Sequence, residues 1–381
     1  MKKFDVIIVG GGLVGLTAAI SLVNANNKLD IALIDKNIKQ SNLDIQIDNK
    51  IYAISPHNVT YLKSLNVWSD LPDRIGSIHK MDVYGDIDSN ILLDKNTTHS
   101  SYLAKTIEYK VLHYFLMNEI SNHPNITIIN DELTNFDINT KILHGKQNLY
   151  TAYLTIGSDG AQSIIRKSLN ISPVIFDYKK AGVVANFYCE NPHYNTAYQW
   201  FKDGNVLAYL PMPQNRISIV YSCDEYTDLT KLSPDDFSEY IAKLGDYKLG
   251  RLRLINPPEY FPLKLSLIDK VYNDGVVLIG DAAHTIHPLA GMGLNLGFSD
   301  VECLAKTLTG IQKKQYGDVA ILSKYALDRQ MEAQKMQYIC HYLERLFASD
   351  NTTIRNLRNI GLNIVNHSKA LKKFLINHAI E

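Results

Sequence analysis

The hydrophobic pattern of the first 35 residues changes its period twice. Residues 6–9 form an unbroken run of β-branched side chains, which is typical of a strand buried on both faces. Apolar side chains then recur at helical spacing, and the run 31–34 restores a strand pattern that ends at Asp35. The apolar helical positions are Leu13, Leu16, Ala19, Ile20 and Val23. The pattern therefore predicts a strand, a helix and a second strand in succession.

Three glycines lie where the first strand should become the helix. Gly10, Gly12 and Gly15 have the spacing G-x-G-x-x-G. In a dinucleotide-binding turn the first glycine allows a tight bend, the second lets the backbone approach a pyrophosphate, and the third lets helix and strand pack closely. The helix N-terminus attracts phosphate, and Asp35 falls where a carboxylate would bind a ribose. We expect a dinucleotide site; an ordinary glycine-rich turn is the alternative.

Residues 36–152 continue an α/β pattern after a polar loop at 36–49. The expected elements are a helix at 56–65, strands within 75–93, a helix at 106–120, and a small β meander formed by 126–129 and the residues from 142 onward.

A second glycine motif, residues 157–160, follows a predicted strand and places Asp159 next to Gly160. A helix carrying Arg166 comes next. Glycines beside an aspartate at a strand end suit a close backbone approach to a ligand, and a plain Asp-Gly turn is the equal alternative.

The third motif, at 275–297, joins a buried strand to a glycine-rich loop and a helix. Gly280 and Asp281 end the strand, and the aspartate could bind a polyol. The backbone of 291–295 could present N–H groups to an anion. His284 and His287 have no third ligand nearby in the sequence, so we expect no metal.

Residues 181–222 have a different composition, rich in aromatic side chains on an alternating pattern. This pattern predicts an antiparallel sheet and a separate substrate domain. Its aromatic residues could line an apolar pocket, and the alternative is that they form ordinary core.

The bulk composition excludes several classes of protein. The chain has 39 basic and 39 acidic residues among 381, and this zero net charge argues against a nucleic-acid binder. No apolar stretch is long enough to predict a transmembrane helix. The cysteines are widely spaced and predict free thiols in a reducing compartment, so we expect a cytoplasmic protein; they are Cys189, Cys223, Cys303 and Cys340.

With these motifs the chain resembles the FAD-dependent aromatic hydroxylases of the para-hydroxybenzoate hydroxylase fold. More narrowly, it is similar to the ubiquinone-biosynthesis hydroxylase family over nearly its whole length. The broad resemblance rests on residues 10–15, 157–160 and 280–297. The narrow one rests on Asp177 and Tyr178, on 207–211, and on Leu346 and Phe347.

The resemblance implies an α/β fold with a Rossmann-like FAD-binding domain, an inserted mixed or antiparallel-sheet substrate domain, and C-terminal helices. We expect the FAD-binding domain at 1–73, 100–172 and 268–315, the substrate domain at 74–99 and 173–267, and the helical segment at 316–381.

The resemblance also assigns expected roles to individual residues. The ADP half of FAD would contact the first motif and Asp35, the pyrophosphate and nicotinamide route would pass Asp159 and Gly160, and Asp281 would bind the ribityl chain. Pro288 and the loop 291–295 would face the isoalloxazine, with Pro288, Gly293 and Asn295 as catalytic positions. The full expected cofactor set is Gly10, Gly12, Leu13, Val14, Gly15, Asp35, Lys36, Lys50, Asp159, Gly160, Gly280, Asp281, Gly291, Met292, Gly293, Leu294 and Asn295.

Two positions depart from the family pattern. Lys50 stands where the family usually has arginine, which keeps the charge but loses the planar fork. Met292 replaces a usual glutamine and removes one polar contact.

The implied chemistry is hydroxylation of a polyprenylated phenol, with NAD(P)H reducing FAD and O₂ giving a flavin C4a-hydroperoxide. We expect the N–H groups of Gly293, Leu294 and Asn295 to stabilise the anionic reduced flavin at a helix N-terminus. The alternatives are a flavin-dependent reductase of a prenyl substrate and a non-catalytic flavoprotein scaffold of the quinone-synthesis complex.

A long apolar substrate implies work at a membrane surface, here the inner (cytoplasmic) membrane, and contact with other quinone-biosynthesis proteins. The segment 354–376 is basic with interspersed apolar residues and could rest on anionic lipid or on such partners. A solvated face of a packed helix is the alternative.

Overall fold

The computed structural model describes residues 1–39, 43, 46–85, 89–202, 204–224, 226–285, 292–348, 366, 368 and 371–373, with the backbone alone at Met292 and at several positions near the end of the last long helix. In chain order, strands β1 to β19 cover Lys2–Val9, Ile31–Asp35, Ile51–Ile54, Gly76–Ile78, Lys80–Tyr84, Asn90–Asp94, Ala104–Glu108, Ile126–Asn130, Leu133–Asp137, Ile142–Gly145, Leu149–Gly157, Val174–Cys189, Thr196–Lys202, Asn205–Met212, Arg216–Cys223, Leu252–Leu254, Glu259–Leu267, Tyr272–Asn273 and Val276–Leu278. Helices α1 to α8 cover Leu13–Ala25, Pro56–Ser64, Tyr109–Ser121, Ile164–Ser168, Tyr226–Leu229, Pro234–Leu244, Met292–Leu308 and Val319–Ala348.

The main sheet has the strand order β18-β19-β11-β1-β2-β8, with β10 and β9 attached to β11. Strand β1 lies between β2 and β11 and is parallel to both, so its residues 6–9 are buried on both faces. Helix α1 follows β1 and packs against α3 and α7. The predicted strand, helix and strand of the first 35 residues, and the α/β fold, are confirmed.

Two predicted elements differ from the structure. Residues 126–130 are not part of a meander: β8 pairs in parallel with β2 at the edge of the main sheet, because α3 carries the chain back across it. The antiparallel meander is formed by β9, β10 and β11. The predicted helix at 106–120 begins only at Tyr109, because residues 106–108 pair with β3 and complete strand β7.

The second sheet has the order β16-β12-β15-β14-β13-β5-β6, with β17 on β12. Its described pairs are antiparallel except for β13 with β5, which agrees with the predicted mixed or antiparallel sheet. A third, three-stranded sheet, β3-β7-β4, contacts it where the Thr106 hydroxyl donates to the Pro211 carbonyl at 2.7 Å. The strands expected within 75–93 are present: β5 and β6 join the second sheet, and β4 joins the third.

The second sheet has one face covered by α6 and one face that α6 leaves open. The covered face carries most of the aromatic residues in a core cluster; they are Phe187, Tyr198, Trp200, Tyr209 and Tyr221. Phe187 stacks on Phe237 of α6 with ring centroids 5.9 Å apart. For these residues the alternative of ordinary core is therefore correct, and the residues between them in sequence point to the open face.

The last long helix, α8, buries one side against the main sheet region and exposes the opposite side. Leu322, Tyr325 and Ala333 are buried, whereas Leu327 and Tyr342 are each 65% exposed. Among the described residues, no helix is long and apolar enough to cross a membrane. The predicted basic segment 354–376 lies almost wholly outside the described residues.

Candidate active site

The first glycine motif forms a turn in which two glycines are required by packing and one faces open space. Gly10 has a φ of +112°, and a Cβ there would lie 2.4 Å from the Ser158 carbonyl oxygen. A Cβ on Gly15 would lie 2.0 Å from the Gly10 carbonyl oxygen. A Cβ on Gly12 would meet nothing within 4 Å. The geometry agrees with a tight turn, a close helix-strand contact and a backbone left open to a ligand.

Asp35 stands beside this turn at the end of β2. Its Oδ2 accepts a hydrogen bond from the Gly11 N–H at 2.8 Å, and its Oδ1 accepts from the Asn37 N–H at 3.3 Å. Each carboxylate oxygen can accept a further bond. The acid is therefore fixed at the mouth of the turn with acceptor capacity for a sugar hydroxyl. Leu13 and Val14 open α1, and Lys36 is exposed next to Asp35.

The second motif sits directly against the first. The Ser158 hydroxyl donates to the Val9 carbonyl oxygen at 2.8 Å, which ties the end of β11 to the end of β1. Gly160 has a φ of +78°, and a Cβ there would meet nothing within 4 Å. The two glycine motifs thus form one continuous wall with open Cβ positions at Gly12 and Gly160.

Asp159 is turned toward the start of α4. Its Oδ2 accepts from the Ile164 N–H at 2.6 Å, while its Oδ1 is buried without a partner among the described residues. Burial raises the pKa of this carboxyl above its ordinary value. An unpaired buried oxygen is unfavourable and marks a place where a ligand could supply the donor.

Arg166 joins the second motif to the third, a role that the sequence did not indicate. Its Nη1 donates to the Ala282 carbonyl oxygen at 2.9 Å, and its Nη2 donates to the Ala161 carbonyl oxygen at 2.5 Å. The side chain is buried, and burial lowers the pKa of its guanidinium.

The third motif continues from β19 into a tight 3-10 turn at Gly280–Ala282. Gly280 has a φ of +58°, and a Cβ there would lie 3.2 Å from the Val14 side chain of α1. Its N–H donates to Asp300 Oδ2 at 2.9 Å. Asp281 is exposed at this turn. The predicted residues Pro288 and Gly291 lie outside the described residues, as does the Met292 side chain.

Helix α7 begins in this region, and a Cβ on Gly293 would meet no described residue within 4 Å. The first N–H groups of a helix have no partner within the helix, so those of Gly293 and Leu294, in the first turn of α7, can offer donors to a ligand. Leu294 is itself partly buried.

The Asn295 side chain is used within the protein. Its Nδ2 donates to the Ala53 carbonyl oxygen at 2.8 Å, and its Oδ1 accepts from the Ser55 N–H at 2.9 Å. Its Oδ1 also accepts from Asn58 Nδ2 at 3.0 Å. The side chain therefore joins β3 and α2 to α7.

Lys50 lies at the end of a segment, residues 46–50, that is hydrogen-bonded to the second sheet and its neighbouring loop. Asn186 Nδ2 donates to the Asp48 carbonyl oxygen at 2.8 Å, and Asn256 Nδ2 donates to the Ile47 carbonyl oxygen at 2.6 Å. The Asp48 N–H donates to Glu108 Oε2 at 2.8 Å. The Lys50 ammonium lies 5.9 Å from the centre of the Tyr109 ring.

Tyr52 was not predicted as a site residue. It is partly buried on β3, and its pKa is raised by burial first and then by the nearby carboxylate of Asp281. The sequence gave no signal that Tyr52 would lie near Asp281, because a residue on a short strand is expected only to pack.

These residues fit a flavin dinucleotide. In the part of the chain that the structure describes, Gly12, Gly160 and Gly293, one on each motif, would each have no neighbour within 4 Å of an added Cβ. The N-termini of α1 and α7 favour negative charge, and both the pyrophosphate and a reduced flavin carry such charge. Asp35 and Asp281 provide acceptors for sugar and polyol hydroxyls. The structure brings the three glycine motifs together: Gly10 lies against Ser158, and Gly280, 270 positions further along the chain, lies against Val14 of α1.

Comparison with known proteins agrees with this site. The profile of the family described as FAD binding domain matches residues 130–338. The "Ubiquinone biosynthesis monooxygenase COQ6, mitochondrial" of Schizosaccharomyces pombe is 30% identical, with 99% of this chain and 91% of the relative covered. The 3-demethoxyubiquinol 3-hydroxylase of Escherichia coli is 28% identical, with 99% of this chain and 98% of the relative covered.

Solved structures share the fold. The p-nitrophenol 4-monooxygenase PnpA of Pseudomonas putida has a TM-score of 0.79 at 16% identity, covering 99% of this chain and 98% of that one. The tetrameric form of 2-methyl-3-hydroxypyridine-5-carboxylic acid oxygenase has a TM-score of 0.70 at 17% identity, covering 92% and 94%.

The fold and the site define an FAD-dependent monooxygenase. The chain belongs to the FAD binding domain family and, within it, to the ubiquinone-biosynthesis hydroxylases.

Proposed function

We propose that this protein hydroxylates the aromatic ring of a polyprenylated phenol on the route to ubiquinone, with NAD(P)H as electron donor and O₂ as the oxygen source. The observation that carries this proposal is the end-to-end similarity to ubiquinone-biosynthesis hydroxylases of a fungus and a bacterium. The three open glycine positions support the cofactor part of it.

FAD, when bound, would take electrons from NAD(P)H and activate O₂. The protein's own residues would bind and orient it. Asp35 would accept hydrogen bonds from the ribose, and the N-terminus of α1, with Gly12 and Gly160, would face the pyrophosphate. Asp281 would accept from the ribityl hydroxyls.

The start of α7 would serve the reactive end of the cofactor. The N–H groups of Gly293, Leu294 and Asn295 would donate to the ring edge, and the positive helix end would favour negative charge there. The Asn295 side chain would hold this helix start against Ala53 and Ser55, so that the donors stay aimed. Pro288 and Lys50 are proposed neighbours of the ring.

The open face of the second sheet would form one wall of the substrate site. Asn186 on this face donates to Asp48, so the face is turned toward the segment that ends at Lys50. Directly paired positions on it are aliphatic or small and partly exposed; they are Val184, Ala208 and Val220, with Leu210 one pair further along. An aliphatic wall suits a prenylated ring and excludes water from it.

The proposal is tested by mass spectrometry of quinone lipids from cells that lack the protein. A precursor short of one ring oxygen is expected, and the wild-type gene should restore the quinone. The purified protein should then consume NAD(P)H and O₂ when that precursor is added. Normal quinone without such a precursor, or NAD(P)H oxidation without O₂ uptake, would contradict the hydroxylase; the second result would favour a reductase.

A further inference from the structure

Behind the turn at Gly280–Ala282 lies a buried charged network that the proposed chemistry does not use. Asp300 of α7 has no exposed surface. Its Oδ2 accepts from the Gly280 N–H at 2.9 Å and contacts His284 Nε2 at 2.6 Å. Its Oδ1 accepts from Arg329 Nε at 2.9 Å. One carboxylate thus joins Gly280, in the turn, and His284, just after it, to the C-terminal helix α8.

Arg329 is held firmly on its own side of the network. Its Nη1 donates to Glu332 Oε2, and its Nη2 donates to the Leu296 carbonyl oxygen at 3.3 Å. The side chain is buried, so its charge needs the Asp300 carboxylate as a partner. Tyr325, one turn earlier on α8, donates to the Leu278 carbonyl oxygen of β19 at 3.2 Å. Helix α8 therefore contacts both the strand before the turn and the carboxylate behind it.

The network is charged and tightly packed. Burial would raise the pKa of the Asp300 carboxyl, but His284 and Arg329 outweigh burial and hold the pKa below its ordinary value. The carboxylate therefore stays ionised as an acceptor. A cavity of about 10 Å³ beside His284 has room for a single water.

We propose that Arg329 is a positioning residue for the turn at Gly280–Ala282, acting through Asp300, so that helix α8 sets how tightly this turn holds FAD. The inference rests on the proposed flavin role of Asp281 and not on the proposed substrate. Arg329 is separated from Asp281 by 48 positions and touches neither it nor the open glycine positions in any described contact.

The test measures the FAD dissociation constant of the full-length protein at low temperature, together with the visible circular dichroism of the bound flavin. Arg329→Met should weaken FAD binding at least tenfold and change the flavin spectrum. Arg329→Lys keeps the charge but loses the fork, and should weaken binding by a smaller factor. Gln330→Ala is the matched control, because Gln330 donates to the Asp269 carbonyl oxygen instead of to Asp300; its FAD affinity should stay within twofold of wild type.

Asp300→Asn decides whether Arg329 acts through Asp300. In that background, Arg329→Met should weaken FAD binding no further, because the link is already lost. Equal FAD affinity in the folded Arg329→Met protein would overturn the inference, as would full additivity of the two changes. If Arg329→Met does not fold, an unchanged affinity in Arg329→Lys would overturn it. None of these readouts requires a substrate, so they are independent of the proposed hydroxylation.

Discussion

Glycines of the candidate site fall into two physical kinds. At Gly15 an added methyl group would strike the backbone of the turn, whereas at Gly12 it would enter open space. The first kind is required by the folded chain itself. The second kind is required only by what binds there.

Alanine substitutions should separate these two kinds. Gly15→Ala should lower the free energy of unfolding of the FAD-free protein by about 1–3 kcal/mol, because the methyl group overpacks the turn. Gly12→Ala should lower it by no more than about 1 kcal/mol, since alanine is a poorer N-cap than glycine but can adopt the φ of −77° without strain. Gly12→Ala should nevertheless weaken FAD binding at least tenfold. Denaturant unfolding and FAD titration measure the two effects, and unaltered FAD affinity in Gly12→Ala would contradict the open-backbone role.

The glycine spacing and the acid after strand two could be predicted because each is a local pattern with a known backbone requirement. The contacts of Asn295, Asp300 and Arg329 could not. Asn295 contacts residues about 240 positions away, and a hydrogen bond over that separation leaves no periodic trace in the sequence. Tyr52 was missed for a related reason, since a tyrosine on a short strand predicts only packing.

At the scale of elements, alternation along a strand decides which residues of the second sheet meet α6 and which face the segment 46–50. The sequence predicted the alternation but not its direction. The aromatic set could have lined the ligand pocket or the core, because a period of two is the same in both cases. The prediction for residues 126–129, a strand of a meander, was wrong for a similar reason: a short apolar run fits a meander and a parallel edge strand equally well.

Ala208 and Tyr209 are consecutive on β14 and point to opposite faces. Ala208→Phe should raise the KM for the phenol at least tenfold, because it fills the proposed wall, and should leave the melting temperature within a few degrees. Tyr209→Phe is the matched control: it removes the donor to the Ile241 carbonyl oxygen and should cost about 1–3 kcal/mol of stability with KM unchanged. Steady-state kinetics and thermal unfolding measure both. An unchanged KM in Ala208→Phe would place the substrate elsewhere.

At the scale of the whole molecule, residues 46–50 connect the dinucleotide region to the second sheet through side-chain amides. Two backbone carbonyls, those of Ile47 and Asp48, accept from Asn256 and Asn186. These contacts hold the segment that ends at Lys50 against the second sheet and the loop that follows β16.

Removing both amides should loosen this segment. The double change Asn186→Ala and Asn256→Ala leaves two carbonyls without these donors, at a cost of about 1–3 kcal/mol each. Hydrogen exchange of a peptide spanning 46–54 should accelerate by an order of magnitude or more. Asn122→Ala, which removes an exposed amide bonded to Glu119, is the control and should leave this peptide unchanged. Equal protection in the double variant would show that other contacts hold the segment.

The central position of β1 in the main sheet also affects the order in which the chain can fold during its synthesis. The parallel neighbour β11 is synthesised about 140 residues after β1, which takes roughly 7–30 s at about 5–20 residues per second. Until then, one edge of β1, whose residues 6–9 are all apolar, has no partner and can pair with other chains. The turn at Gly280–Ala282 and Arg329 emerge later still. The nascent chain therefore cannot complete the proposed flavin pocket until the residues of the third motif have been synthesised, and FAD cannot stabilise β1 during that interval.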